Sequence, residues 1–390
     1  MKWSYRSTVL VLCTAAFFVT VTARLVISPV VSDVEATFGV NTGTVGLALS
    51  GMWAMYALSQ FPSGVLGDRY GETRIILAAV GGTAAASALL ALSPTFVSFG
   101  LFAVVLGGAA GLHYSVATTL VARQHDRTGR AIGIHVSGAP IAGLLMPPAA
   151  AAIGARYGWR PAVLLGTAAG IPVAAAFWLR VRPIEPRAPD ARIRDRVRLG
   201  ALSELLARPS IAYTTALSGL GAFAWQATAS FLPAFLQQGY GLSQTAAGLL
   251  FSLYFLTNGV AQPVMGTVSD RLSRDAAASI TMAAGVVGFG LLVVGDGDAI
   301  AVVGVGCVGL SMTWGAPLQS RFMDVLGEDE RGLGFGLVRT AYMLIGALGS
   351  VVVGTAADLF GWGVAFGLLS GVTATVLCVI ALNRLLSLGW

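Results

Sequence analysis

The chain has 390 residues, 56% of them hydrophobic and only 11% charged, with 50 glycines and a formal charge of +6 from 24 basic and 18 acidic residues. A soluble domain carries about a quarter charged residues, so this chain cannot cover a water-facing surface, and a soluble multidomain enzyme is excluded. Enough apolar sequence is present for about a dozen membrane spans of roughly 20 residues, and the arginines fall in short loops rather than on one face, so no nucleic-acid partner is expected.

Apolar runs between charged or Pro/Gly-rich breaks predict twelve spans, at about 8–30, 43–67, 74–93, 96–122, 130–155, 160–180, 209–236, 243–268, 276–295, 298–325, 333–357 and 362–386. The first follows Lys2 and Arg6, contains Arg24 and outlasts a signal-peptide core, so it reads as an uncleaved first helix. Three domains are expected: an N-terminal six-helix bundle at 1–180, a polar linker at 181–208 and a C-terminal six-helix bundle at 209–390. The linker carries Arg192, Arg194, Arg196 and Arg198, suited to anionic lipid headgroups. Arg and Lys concentrate in alternate loops, leaving Arg156 and Arg160 on the other side, which predicts a multi-pass plasma-membrane protein with both termini cytoplasmic. Asp33, Glu35, Asp296, Asp298 and Asp358 are assigned to outer loops. Cys13, Cys307 and Cys378 lack metal-ligand or redox spacing and read as small buried hydrophobes.

The halves repeat. At an offset of 202, Gly46, Gln60, Gly64, Asp68 and Arg69 meet Gly248, Gln262, Gly266, Asp270 and Arg271. At 203, Gly129, Gly133, Gly143, Gly158 and Trp159 meet Gly332, Gly336, Gly346, Gly361 and Trp362. Two parallel six-helix units are a repeat type of secondary transporters.

Between the second and third spans stand Gly64, Asp68, Arg69, Gly71, Glu72 and Arg74; the second copy is Gly266, Asp270, Arg271, Ser273 and Arg274. On these two loops the chain resembles the major facilitator superfamily, over essentially its whole length. The first copy follows the loop signature G-x-x-x-D-R-x-G-R with Glu72 at the second Arg; the second keeps that Arg and has Ser273 at the second Gly. The resemblance implies an all-α fold of twelve transmembrane helices in two pseudo-symmetric bundles, and a gating role for these loops. Physically, Asp68 would suit the amino end of helix 11 near Gly332–Gly336 and Asp270 that of helix 5 near Gly129–Gly133. The fifth span, with Gly133, His135, Gly138, Pro140, Gly143, Pro147 and Pro148, is similar to the Gly/Pro motif of proton-coupled drug exporters, interrupted by Ala139; close helix packing explains the same residues.

Polar groups inside spans are expensive in lipid and mark a candidate cavity. Arg24 in helix 1 and Arg339 in helix 11 have no mid-membrane carboxylate in sequence, and two readings compete: a guanidinium fork for an anionic substrate, or snorkelling to the interface. His113 is the proton-coupling candidate, with His135 also intramembrane and hydrogen-bonded structural histidines the alternative. Tyr114, Trp225, Gln226, Tyr254, Asn258, Trp314 and Tyr342 complete the expected substrate-binding set, with Tyr56 and Gln319 as further polar candidates. The motifs G-x-S-x-G, H-E-x-x-H, Walker and dinucleotide-binding are absent, so neither enzyme activity nor a cofactor or metal is expected. The expected function is secondary transport of a small organic anion or weakly acidic metabolite by a monomer in membrane lipid, with coupling to a proton left open. Proton-coupled drug export is the alternative, and a non-transporting membrane sensor a third reading.

Overall fold

The computed structural model describes residues 4–190, 199–327 and 333–389, and all regular structure among them is helical. The helices form twelve rods: α1 (Tyr5–Phe38), α2 (Thr42–Tyr70), α3 (Glu72–Ala91), α4 (Phe96–Gln124), α5 (Thr128–Tyr157), α6 (Trp159–Arg180), α7 (Pro209–Gln238), α8 (Gln244–Arg271), α9 (Arg274–Val294), α10 (Asp298–Val325), α11 (Leu333–Phe360) and α12 (Trp362–Leu385). A short helix, Leu199–Leu206, precedes α7. Nine rods meet both the length and the apolarity of a membrane span. The other three, α2, α7 and α8, are long enough at 29, 30 and 28 residues but carry more polar residues. On α7 these include Thr214, Thr215, Ser218, Gln226, Thr228 and Ser230, all buried within the protein. Large apolar side chains such as Val97, Trp178, Val294 and Leu385 point outward, as lipid requires.

Rod ends follow from local chemistry. Ser4 caps α1 by accepting from the Ser7 amide, and Thr95 and Ser98 close a reciprocal capping box at α4. Ser243 and Ser273 cap α8 and α9 in the same way as Ser4. The repeated Gly-Trp pairs form matching turns: Gly158 and Gly361 both have φ of +84°, where glycine avoids a Cβ clash. The following indoles then reach back to equivalent rods, Trp159 donating to Thr37 Oγ1 at 2.9 Å and Trp362 to Gln238 Oε1 at 3.0 Å.

Five rods are interrupted. α1 passes through a 3-10 turn at Ser28–Val30, α4 breaks at Leu112, α5 at Ser137, α6 at Leu164, and α10 at a 3-10 turn over Met312–Trp314. Where the sequence predicted a first span ending near residue 30, Ser28 opens a 3-10 turn that contains Pro29, and the helix resumes at Val31–Phe38. Asp33 and Glu35, expected in a loop, therefore lie on α1; Asp298 opens α10 and Asp358 belongs to the last turns of α11. The cysteines also need correction. Only Cys13 is buried, whereas Cys307 is half-buried and Cys378 is exposed on α12.

The chain forms two compact units, Met1–Gly39 with Gly51–Arg198, and Val40–Ser50 with Leu199–Trp390. The first has a core of α1, α3, α4 and α6 side chains including Val9, Cys13, Val80, Leu120 and Phe177. In the second, the amino end of α2 packs on α11. The Asp358 carboxylate accepts from the amides of Thr42 at 3.0 Å and Gly43 at 2.6 Å, capping α2, and Ser50 Oγ accepts from the Val351 amide at 2.9 Å.

Candidate functional site: a stacked guanidinium and a histidine pair

In the first unit, Arg24 sits two residues before α1 leaves regular helix. Its Nε donates to the Thr20 carbonyl at 3.0 Å. The guanidinium carbon lies 3.9 Å from the centroid of the Tyr56 ring and 5.1 Å from that of Trp53, within cation–π range. Trp53 and Tyr56 meet edge to face with centroids 6.1 Å apart. Arg24 is 6% exposed, so it does not snorkel. No carboxylate pairs with it among the described residues.

Two glycines of α4 let α2 approach closely enough to form this platform. A Cβ on Gly107 would collide with the Met52 carbonyl, and one on Gly111 with the Tyr56 carbonyl. The aromatic pair is therefore placed by small residues one helical turn apart, in the manner of close helix packing in membranes.

His113 begins the second segment of α4, directly after the Leu112 break. His135 lies two residues before the Ser137 break in α5. Both are fully buried and their ring centroids are 5.5 Å apart. Phe17 of α1 packs on both, at 5.8 and 5.4 Å, and on Tyr114 at 5.5 Å. None of the four ring nitrogens makes a hydrogen bond of good geometry. The backbone of Cys13 faces both rings.

The second unit gathers fewer of the expected residues. Trp314 stands in the 3-10 turn of α10, edge-on to Tyr342 at 6.1 Å, and Tyr342 stacks on Phe322 at 6.1 Å. Gln226 is buried and its Nε2 donates to the Met343 carbonyl at 3.2 Å, while Oε1 is buried without a hydrogen bond. Tyr254 packs in an aromatic cluster with Phe251 and Phe255. Trp225, Asn258 and Arg339 are half-buried, and Gln319 is exposed.

Around the two loops, charges pair in ways the sequence did not reveal. Glu72, with a side chain only 2% exposed, is held by Arg123 at 2.7 Å and Arg187 at 2.6 Å, and Arg187 also meets Asp68 at 3.4 Å. Gly71 has φ of +89°, and a Cβ there would strike the Ile184 carbonyl. In the second copy Arg274 meets Asp270 at 2.5 Å, Asp324 at 2.9 Å and Ser269 at 3.2 Å, and Arg321 pairs with Asp275. Arg69, Arg74 and Arg271 are exposed, with Arg69 over the Tyr70 ring; Gly64 and Gly266 are half-buried. Gly332 and the linker arginines 192, 194, 196 and 198 lie outside the described residues.

The sequence profile of the Major Facilitator Superfamily matches residues 12–243 and 214–386, nearly the whole chain. The chain belongs to this superfamily. Among curated relatives, the chain is 25% identical to the transcription regulatory protein OpdE of Pseudomonas aeruginosa over 369 residues, covering 92% of this chain and 89% of that one. It is 23% identical to the hexuronate transporter of Bacillus subtilis over 342 residues, covering 81% and 80%. Among solved structures, the nucleoside transporter NupG superposes with a TM-score of 0.83 at 14% identity over 96% of this chain and 99% of that one, a likeness of fold. The superfamily chain is thus a multi-pass, non-enzymatic secondary transporter of the twelve-helix fold.

Proposed function

We propose that the chain transports a small organic anion, whose carboxylate is gripped by Arg24. The observation that carries this reading is a buried guanidinium stacked on Tyr56 with no carboxylate partner among the described residues. Stacking stabilises the cation through the ring face while leaving N–H donors at its edge for an oxyanion fork. A protein carboxylate at this place would neutralise the charge permanently; its absence suits a charge supplied by the cargo. The hexuronate transporter relative supports a carboxylate-bearing cargo, since a hexuronate is a sugar acid. The asymmetry of arginines between alternate loops supports a plasma-membrane protein with both termini in the cytoplasm.

The test is uptake by purified protein in liposomes, with radiolabelled glucuronate and a panel of other carboxylates and cationic drugs. The expected result is saturable uptake of an anion that other carboxylates inhibit and Arg24→Ala abolishes. Transport of cationic drugs with no anion transport would overturn it in favour of drug export.

A further inference from the structure

We propose that His113 and His135 form a single proton-binding site whose occupancy is linked to that of the anion on Arg24, making the transporter an anion–proton symporter. The inference rests on the anion reading above.

The two imidazoles belong to different rods, touch each other, and are both fully buried. Each stands beside an interruption of its own helix, at Leu112 in α4 and Ser137 in α5. Broken helices in transporters place ion sites where the backbone can rearrange. Two neutral imidazoles offer two N–H donors and two bare nitrogens, yet none of the four atoms makes a hydrogen bond of good geometry. One added proton turns a bare nitrogen into a donor, and the Cys13 backbone facing both rings is positioned to accept.

Among the described residues, the groups packed around the pair supply no compensating negative charge. α1 contributes the Cys13 backbone and Phe17, and α4 contributes Tyr114. The charged groups of the surrounding rods among the described residues are Arg6, Arg24, Asp33 and Glu35 on α1, Asp68 and Arg69 on α2, Glu72 and Arg74 on α3, Arg123 on α4, Arg130 and Arg156 on α5, and Arg160 and Arg180 on α6; Asp33 and Glu35 lie beyond Arg24 from the pair, at the far end of α1. Glu72 is already committed to Arg123 and Arg187, and Asp68 meets Arg187. From the helical rise, Cys13 and Arg24 stand about 16 Å apart along α1. A proton on the pair therefore adds positive charge to a region that already holds Arg24. An anion bound to Arg24 removes that penalty, and by reciprocity the proton tightens the anion. A second proton would place two like charges in contact, so the pair takes one.

The experiment measures glucuronate affinity of the purified full-length protein from pH 5.5 to 8.5, together with protons taken up on binding in weak buffer. The glucuronate carboxyl and the guanidinium keep their charges across this range, so neither creates a slope. Expected for the wild type is affinity that falls with rising pH, by up to tenfold per unit, and uptake of up to one proton per anion bound. H113Q, H135Q and the double variant are expected to bind with a flat pH profile and no proton uptake, their retained binding showing that they fold. Binding by the wild type without slope or proton uptake, or an unchanged slope in the double variant, overturns the proton site and leaves the anion reading standing. Failure of glucuronate and every other carboxylate to bind overturns both.

Discussion

Arg24 and Tyr56 form a face-on cation–π pair at 3.9 Å, with the arginine's Nε tied to its own helix at Thr20. Helix backbone below and aromatic ring beside thus hold the guanidinium in one orientation, which would lower the ordering cost of binding the proposed anion.

Arg24→Lys is expected to lose at least tenfold in anion affinity although the charge is kept. An ammonium offers neither a planar face for Tyr56 nor a two-pronged donor edge. Binding of glucuronate, measured calorimetrically, checks this; wild-type affinity in the lysine variant would show that charge alone suffices.

Tyr56→Phe keeps the ring and should leave thermal stability close to wild type. Tyr56→Ala removes the stack and opens a void beside a buried cation, with a cation–π loss of about 2 kcal/mol when desolvated. Unfolding temperature in detergent should fall clearly for alanine only. A Gly107→Val variant should reproduce part of that loss from a distance, because a side chain there meets the Met52 carbonyl and pushes α2 away.

Glu72→Gln leaves Arg123 and Arg187 around a neutral group. The expected destabilisation is about 1–3 kcal/mol, below the full cost of breaking a buried pair, because both arginines are over 40% exposed. The exchange Glu72→Arg with Arg123→Glu should recover part of the loss relative to Glu72→Arg alone; equal unfolding temperatures for the two would refute a direct pairing.

Asp358→Ala uncaps α2, leaving the Thr42 and Gly43 amides without their acceptor. A loss of about 1–2 kcal/mol is expected, with Asp358→Asn intermediate. Faster amide exchange at residues 42–45 in the alanine variant would locate the effect at this helix end.

The rods were legible in sequence because hydropathy and length dominate in a bilayer, and the Gly-Trp turns because glycine alone suits the φ of Gly158 and Gly361. Interruptions were less legible: Pro29 signals its 3-10 turn, but nothing at Leu112 or Ser137 distinguishes a break from continuous helix. Arg24 stood out as a lone intramembrane charge, yet its cradle depends on Trp53 and Tyr56 from another rod. His113 and His135 are 22 residues apart, and only the fold places their rings in contact. The partners of Glu72 were hidden for the same reason, since Arg123 and Arg187 lie 51 and 115 positions away.

Residues 72 and 274 are equivalent at the repeat offset of 202, yet one is Glu and the other Arg. Each still finds its opposite on the following rod, Arg123 for Glu72 and Asp324 for Arg274. What the two halves preserve at this corner is complementarity, with polarity free to invert. Engineering by consensus would go astray here: restoring the signature arginine at 72 would crowd three guanidiniums into one corner, and a chimera that mixes halves must carry both members of each pair together.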